Sequence, residues 1–181
     1  PATTLAKGCY AYMFAGCSSL TTVPTLLATT LATECCEWMF DGCTSLTTVP
    51  DLPATTLAES CYYYMFQNCT ALTTAPELPA TTLVESCYAY MFNGCRSLTT
   101  APDLPATTLA TGCYDGMFFG CTNLNYIKVC FTTWDESIIT TGNWLGNITT
   151  TGTFVKPAAL PTVVGRNRIP SGWDIVNVPE T

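Results

Sequence analysis

The chain has no histidine, and only 10% of its residues are charged. Lys and Arg total 6 against 13 Asp and Glu, a formal charge of −7. A polyanion such as DNA or RNA is repelled by that balance, and no basic stripe exists to follow phosphates. An acidic membrane surface is disfavoured for the same reason. No run approaches the roughly 18 consecutive apolar residues of a membrane span, so direct membrane insertion by this segment is not expected. There is no Gly-rich phosphate loop, no metal motif and no nucleophile with a plausible base. No catalytic residue, cofactor site or metal site is therefore expected, and an enzyme is disfavoured. An initiator Met, a signal peptide and a lipidation signal are also missing, and no polar cap precedes the first repeat. The expectation is a fragment or mature form of something longer.

What is present is hydrophobic and repetitive. Apolar residues make up 48% of 181 residues, enough for one sizeable core and too many for a disordered segment. PATTLA begins at Pro1, returns as LATTLA at Leu27, and recurs with little change at Pro53, Pro79 and Pro105. The step is 26 residues, giving units 1–26, 27–52, 53–78, 79–104 and 105–130. Several columns are invariant, among them Leu5, Leu31, Leu57, Leu83 and Leu109, and Met13, Met39, Met65, Met91 and Met117. Phe14, Phe40, Phe66, Phe92 and Phe118 form a third, and Leu20, Leu46, Leu72, Leu98 and Leu124 a fourth. A unit this short buries its apolar side only against its neighbours. Successive rungs lie about 4.8 Å apart, so alignment columns become vertical ladders.

Within a unit, Leu20-Thr21-Thr22-Val23 reads as a short strand ended by Pro24, and Thr3-Thr4-Leu5 as a second extended piece. Residues 9–14 read as one or two helical turns, because Cys9, Met13 and Cys17 are spaced by four. Gly16, Gly42, Gly94 and Gly120, with Asn68 in the same column, suit a left-handed terminator. The expected fold is an α/β repeat solenoid, leucine-rich-repeat-like and right-handed. It has short parallel strands and short helical turns, and residues 131–181 close it as a β-rich C-terminal cap.

The pattern MFxGCxSLTT-PxLPATTLA resembles the BspA-like leucine-rich repeats of bacterial surface proteins. The resemblance covers residues 1–130, and Gly152-Thr153-Phe154-Val155-Lys156 and Ile169-Pro170-Ser171-Gly172-Trp173 are similar to the segment that often closes such arrays. It implies an extracellular or cell-surface protein that contributes to adhesion. The partners it implies are host or bacterial surface proteins or glycans. It carries no catalytic residues over.

Ten of the twelve cysteines fall in two columns eight residues apart, Cys9 to Cys113 and Cys17 to Cys121. Eight residues of helix span roughly 12 Å, beyond disulfide reach. Buried free thiols are the first reading; some disulfides, or a metal held by sulfurs from several rungs, stand as alternatives. Cys36 stands in a tyrosine column and reads as exposed. Cys130 takes the place of Leu104 and reads as core.

Ligand-contacting candidates are the exposed columns. Tyr12, Trp38, Tyr64 and Tyr90 form one; Tyr10, Tyr62, Tyr88 and Tyr114 another; Thr22, Thr48, Thr74 and Thr100, continued by Tyr126, a third. Aromatic columns on an extended face suit binding. Each column also has a plain structural reading: tyrosines packed along the outside of the core, and threonines chosen for strand propensity. Asp51, Glu77 and Asp103 form an acidic stripe that reads as a solvated edge. Beyond Cys130 the period is lost. Residues 152–155 and 175–178 look like strands, Trp134, Trp144 and Trp173 offer a lesser ligand site, and Asn147-Ile148-Thr149 matches a glycosylation acceptor. The reading overall is a non-catalytic interaction module contributing to adhesion, with a structural spacer or stalk as the alternative.

Overall fold

Residues 6–20 set the architecture through an alternation of backbone amides. The structure, a computed structural model, describes residues 2–134 and 141–179. In the first rung the amides of Gly8, Tyr10, Tyr12, Phe14 and Gly16 donate to the second rung, at the carbonyls of Thr33, Cys35, Glu37, Met39 and Asp41 (2.7–3.1 Å). The amides between them fold back three residues, as in Cys9 to Ala6, Ala11 to Gly8 and Met13 to Tyr10. This is a ribbon of linked β-turns. The helical turns expected over residues 9–14 are not formed, and no helix occurs among the described residues. The physical reason is hydrogen-bond supply. A helix directs its amides onto its own carbonyls, and six residues of helix are unstable alone. The linked turns satisfy half the amides locally and give the other half to the next rung.

The ribbon has a four-residue period, which the cysteine and methionine spacing mimicked as a helix face. Residues 60, 64 and 68 have φ near +50°; the first two are each followed by two buried side chains, Cys61 with Tyr62 and Met65 with Phe66, and the third by buried Cys69 and half-buried Thr70. Gly16, Gly42, Asn68, Gly94 and Gly120 are left-handed, as their column suggested, but they close turns rather than helices.

The opposite stretch is less regular. Strands expected at the Leu20 column and its equivalents are reduced to isolated bridges, such as Thr100 with Tyr126 and Leu104 with Val129. Pro24, Pro50, Pro76 and Pro102 have no N–H to give. The fifth unit lacks that proline, and there β1 forms (Tyr126–Lys128). It pairs in parallel with β2 (Thr153–Pro157), which pairs in parallel with β3 (Asp174–Val178). The strands expected at 152–155 and 175–178 match β2 and β3 closely. Val129, not Cys130, occupies the Leu104 level: Val129 is buried and Cys130 partly exposed. Unit five is one residue shorter at this point, and that shifts the register.

The backbone period does not stop where the sequence period does. The amides of Gly116, Phe118 and Gly120 donate to Gly142, Trp144 and Gly146, and Asn143 and Asn147 are left-handed. Residues 141–147 thus add a sixth turn ribbon, with Trp144 at the Met117 level and Leu145 at the Phe118 level.

Inside, the columns are continuous. The five phenylalanine rings stack nearly parallel with centroids 5.4–5.8 Å apart. All twelve cysteines are free thiols. The Sγ atoms of Cys43, Cys69, Cys95 and Cys121 lie 3.1–3.3 Å from the carbonyls of Phe14, Phe40, Phe66 and Phe92, so each thiol ties a turn to the rung above. Burial pushes the Cys43 thiol up to about 11 and the Cys121 thiol to about 12, which keeps them protonated. Cys36, expected outside, is fully buried: its whole column faces inward. The first rung is covered on one side only, leaving Met13 half exposed and Cys9 and Cys17 exposed.

Candidate functional site

On the outer side of the ribbon, Tyr12, Trp38, Tyr64 and Tyr90 occupy one left-handed position in four successive rungs, with φ of 58°, 53°, 54° and 55°. Bulky side chains rarely adopt this conformation. It is of order 1–3 kcal/mol unfavourable per residue unless the surroundings impose it. Here they do. Each residue's amide donates to the next rung, at Glu37, Tyr63, Ala89 and Asp115 respectively (2.7–3.0 Å).

The left-handed backbone turns the four rings into a stack. Successive centroids lie 6.0, 4.0 and 4.6 Å apart, with planes within 11° of parallel. Tyr63 closes the flank edge-on, 4.4 Å from Tyr64 and 6.0 Å from Tyr90. Each aromatic pair contributes about 0.5–1.5 kcal/mol beyond its buried area, which offsets much of the backbone strain. The ladder ends at Gly116, the same position in the fifth rung. A Cβ there would lie 2.2 Å from the Tyr90 ring, so glycine is what lets Tyr90 lie flat.

Carboxylates border the ladder. The Trp38 indole N–H donates to Glu37 (3.1 Å), the Asn68 amide to Asp41 (3.4 Å), and the Tyr90 hydroxyl to Asp115 (3.1 Å). Partial burial raises the pKa of Glu37, Asp41 and Asp115, and the bonds they accept pull each back down. Burial, and next the charge of Asp115, push the Tyr90 phenol up to about 12. The hydroxyl therefore stays protonated and works as a donor.

This surface can offer ring edges, hydroxyls and carboxylates, all held rigidly. It offers few ring faces, since each inner ring is covered on both sides. The outer face of Tyr12, which is 57% exposed, is the exception.

The other candidate columns are placed differently. Tyr62, Tyr88 and Tyr114 lie inside the core, stacked on one another, and cannot meet a ligand at the surface; Tyr10, on the open rung, is partly exposed. The Tyr88 hydroxyl is buried without a hydrogen-bond partner among the described residues. Thr22, Thr48, Thr74 and Thr100 are exposed on the proline side, and Tyr126 is half-buried in β1. The ring and aromatic columns of the ribbon are not joined to this threonine column. Trp134, Trp144 and Trp173 are buried and do not form an open site.

Residues the sequence reading passed over include Tyr63, Asp115 and a shallow polar pocket beyond the ladder's end, lined by Asp115, Gly142, Asn143, Arg166 and Asn167. The triple Tyr62-Tyr63-Tyr64 was the available signal for Tyr63. Among the described residues no three Cys, Asp or Glu side chains converge as metal ligands, and no helix is long and apolar enough to cross a membrane.

A family model, the BspA type leucine rich repeat region, matches residues 7–139 in 6 copies. Neither a curated protein nor a solved structure matches the chain.

Proposed function

The chain belongs to the BspA-type leucine-rich repeat family, and from that premise we propose that it is a non-catalytic protein-interaction module working outside the cell or at the cell surface. In this reading it contributes to bacterial adhesion to host matrix proteins, glycans or other cells. The ladder of Tyr12, Trp38, Tyr64 and Tyr90 carries the proposal. Tyrosine and tryptophan are favoured at interfaces, and these rings are already fixed in place, so binding costs little side-chain ordering. Covered ring faces favour a protein partner over a stacked sugar. Residues 141–179 cover the apolar end of the fifth rung and, in this reading, close the array.

The test is solid-phase binding of the purified chain to immobilised matrix proteins, mucins and glycans, beside the triple variant Trp38→Ala, Tyr64→Ala, Tyr90→Ala. Saturable binding that the variant loses supports the ladder as the contact face. Binding that the variant retains moves the contact elsewhere, and no binding at all favours the second reading, a rigid spacer. That reading draws on one observation, the unbroken hydrogen-bonded ribbon from the first rung to residue 146.

A further inference from the structure

The proline side of the solenoid carries a cleft that the turn ribbon does not share. In the third and fourth units the segments Pro76-Glu77-Leu78-Pro79 and Pro102-Asp103-Leu104-Pro105 lie one above the other. Two prolines in each remove ladder donors. The one amide of the upper segment with an acceptor, Glu77, donates to the Asp51 carboxylate (3.1 Å) instead of to a neighbouring backbone. The rungs therefore part here, leaving a cleft of about 420 Å³ lined by Ala75, Pro76, Leu78, Pro79, Pro102 and Pro105. That is within the roughly 300–1,000 Å³ range of ligand-sized sites. The walls mix proline, alanine and leucine side chains with polar surface, and the exposed carboxylate residues Glu77 and Asp103 belong to the lining.

One rung further on, the carboxylate column ends in a cation. Lys128 stands at the Asp103 level in β1, and its ammonium pairs with the Asp103 carboxylate. Asp103 in turn raises the lysine's pKa. A lysine side chain is thus already accommodated by this stripe from within the chain. Asp51 accepts from the Glu77 backbone, and among the described residues the exposed Glu77 carboxylate has no cation paired with it.

We propose that this cleft binds a basic, extended segment of a partner polypeptide, seating one lysine with its alkyl stem against the prolines and its ammonium on the Glu77 carboxylate. Prolines make a rigid apolar floor that loses little entropy on binding. Long amphipathic side chains lie with their stems on such surfaces and their charge in water. The acidic balance of the chain attracts such a segment. None of the cleft residues belongs to the aromatic ladder, so this site stands or falls apart from the contact face proposed above.

Titration of the ¹⁵N-labelled chain with an acetylated, amidated Gly-Ser-Lys-Ser-Gly peptide tests it, read from amide shifts. Saturable shifts are expected at Ala75, Glu77, Leu78 and Asp103. Replacing the peptide's lysine by norleucine should abolish them. Glu77→Gln, an exposed change that leaves the fold intact, should weaken binding about tenfold, equivalent to about 1.4 kcal/mol. Tyr64→Ala should leave it unchanged. Absence of saturation, equal binding by the norleucine peptide, or full affinity in Glu77→Gln would each overturn the proposal.

Discussion

Residues 1–130 repeat almost letter for letter, yet among the described residues their one strand is the three-residue β1; residues 131–181 show no sequence period, yet they supply β2 and β3. The contrast separates two kinds of order. In the first four repeats each rung carries a proline where a strand would run, so regularity resides in the turn ribbon and the stacked core columns. From the fifth unit on that column proline is lost, a ladder of three parallel strands forms with a proline only at the end of β2 (Pro157), and the core is held by large aromatic groups of unequal shape. Trp144 meets Tyr114, Phe131, Trp134 and Phe154 at once. Sequence repetition tracks repeated packing, and hydrogen-bonded strand begins where the column proline of the first four units is lost.

The sharpest way to break this comparison is to remove the aromatic centre of the C-terminal part. Trp144→Ala should lower stability by about 3–5 kcal/mol, whereas Phe14→Ala, on the half-open first rung, should cost clearly less; denaturant unfolding of the two variants checks the order. Next is moving the repeats' feature into the strand. Ile127→Pro should destabilise by roughly 3 kcal/mol, because it takes a donor from β1, and circular dichroism should show the loss of sheet.

Within the ladder the effects are smaller and of opposite sign. Tyr64→Gly, stacked on both faces, should cost about 1 kcal/mol or more. Tyr12→Gly, with one neighbouring ring and the same φ, should be neutral or stabilise by up to about 1 kcal/mol, because it relieves the left-handed strain. Thermal melts of the pair decide it. The least energetic comparison is a count. A thiol reagent should modify Cys9 and Cys17 quickly and Cys130 more slowly, and reach the nine buried cysteines only on unfolding. Fast modification of Cys36 would contradict the inward-facing column.

Repeat length and the core columns were legible because stacking forces identical residues onto one another. The two strands of the C-terminal segment were legible from their β-branched residues between turn signals. The turn ribbon was not. A four-residue recurrence of apolar side chains is common to a helix face and to linked turns, and only the amide pattern separates them. The left-handed aromatics were equally hidden, since bulky Tyr and Trp are rarely found at positive φ. Burial of Tyr62, Tyr88 and Tyr114 against the half-buried placement of Tyr64 and Tyr90 depends on which of two nearby columns faces the core, and a tyrosine tolerates either. The sixth ribbon was masked because residues 141–147 match the pattern by shape and hydrogen bonding, with Trp144 and Leu145 replacing Met and Phe and one residue inserted.

Amide hydrogen exchange on the intact chain tests the central claim most directly, that one hydrogen-bonded ribbon runs from the first rung into residues 141–147 while the proline side stays open. The amides of Gly116, Phe118 and Gly120 should be protected as strongly as those of Tyr64, Phe66 and Asn68, and those of Thr74 and Ala75 should exchange much faster. Rapid exchange at Gly116, Phe118 and Gly120, or uniform protection across the proline side, would contradict it.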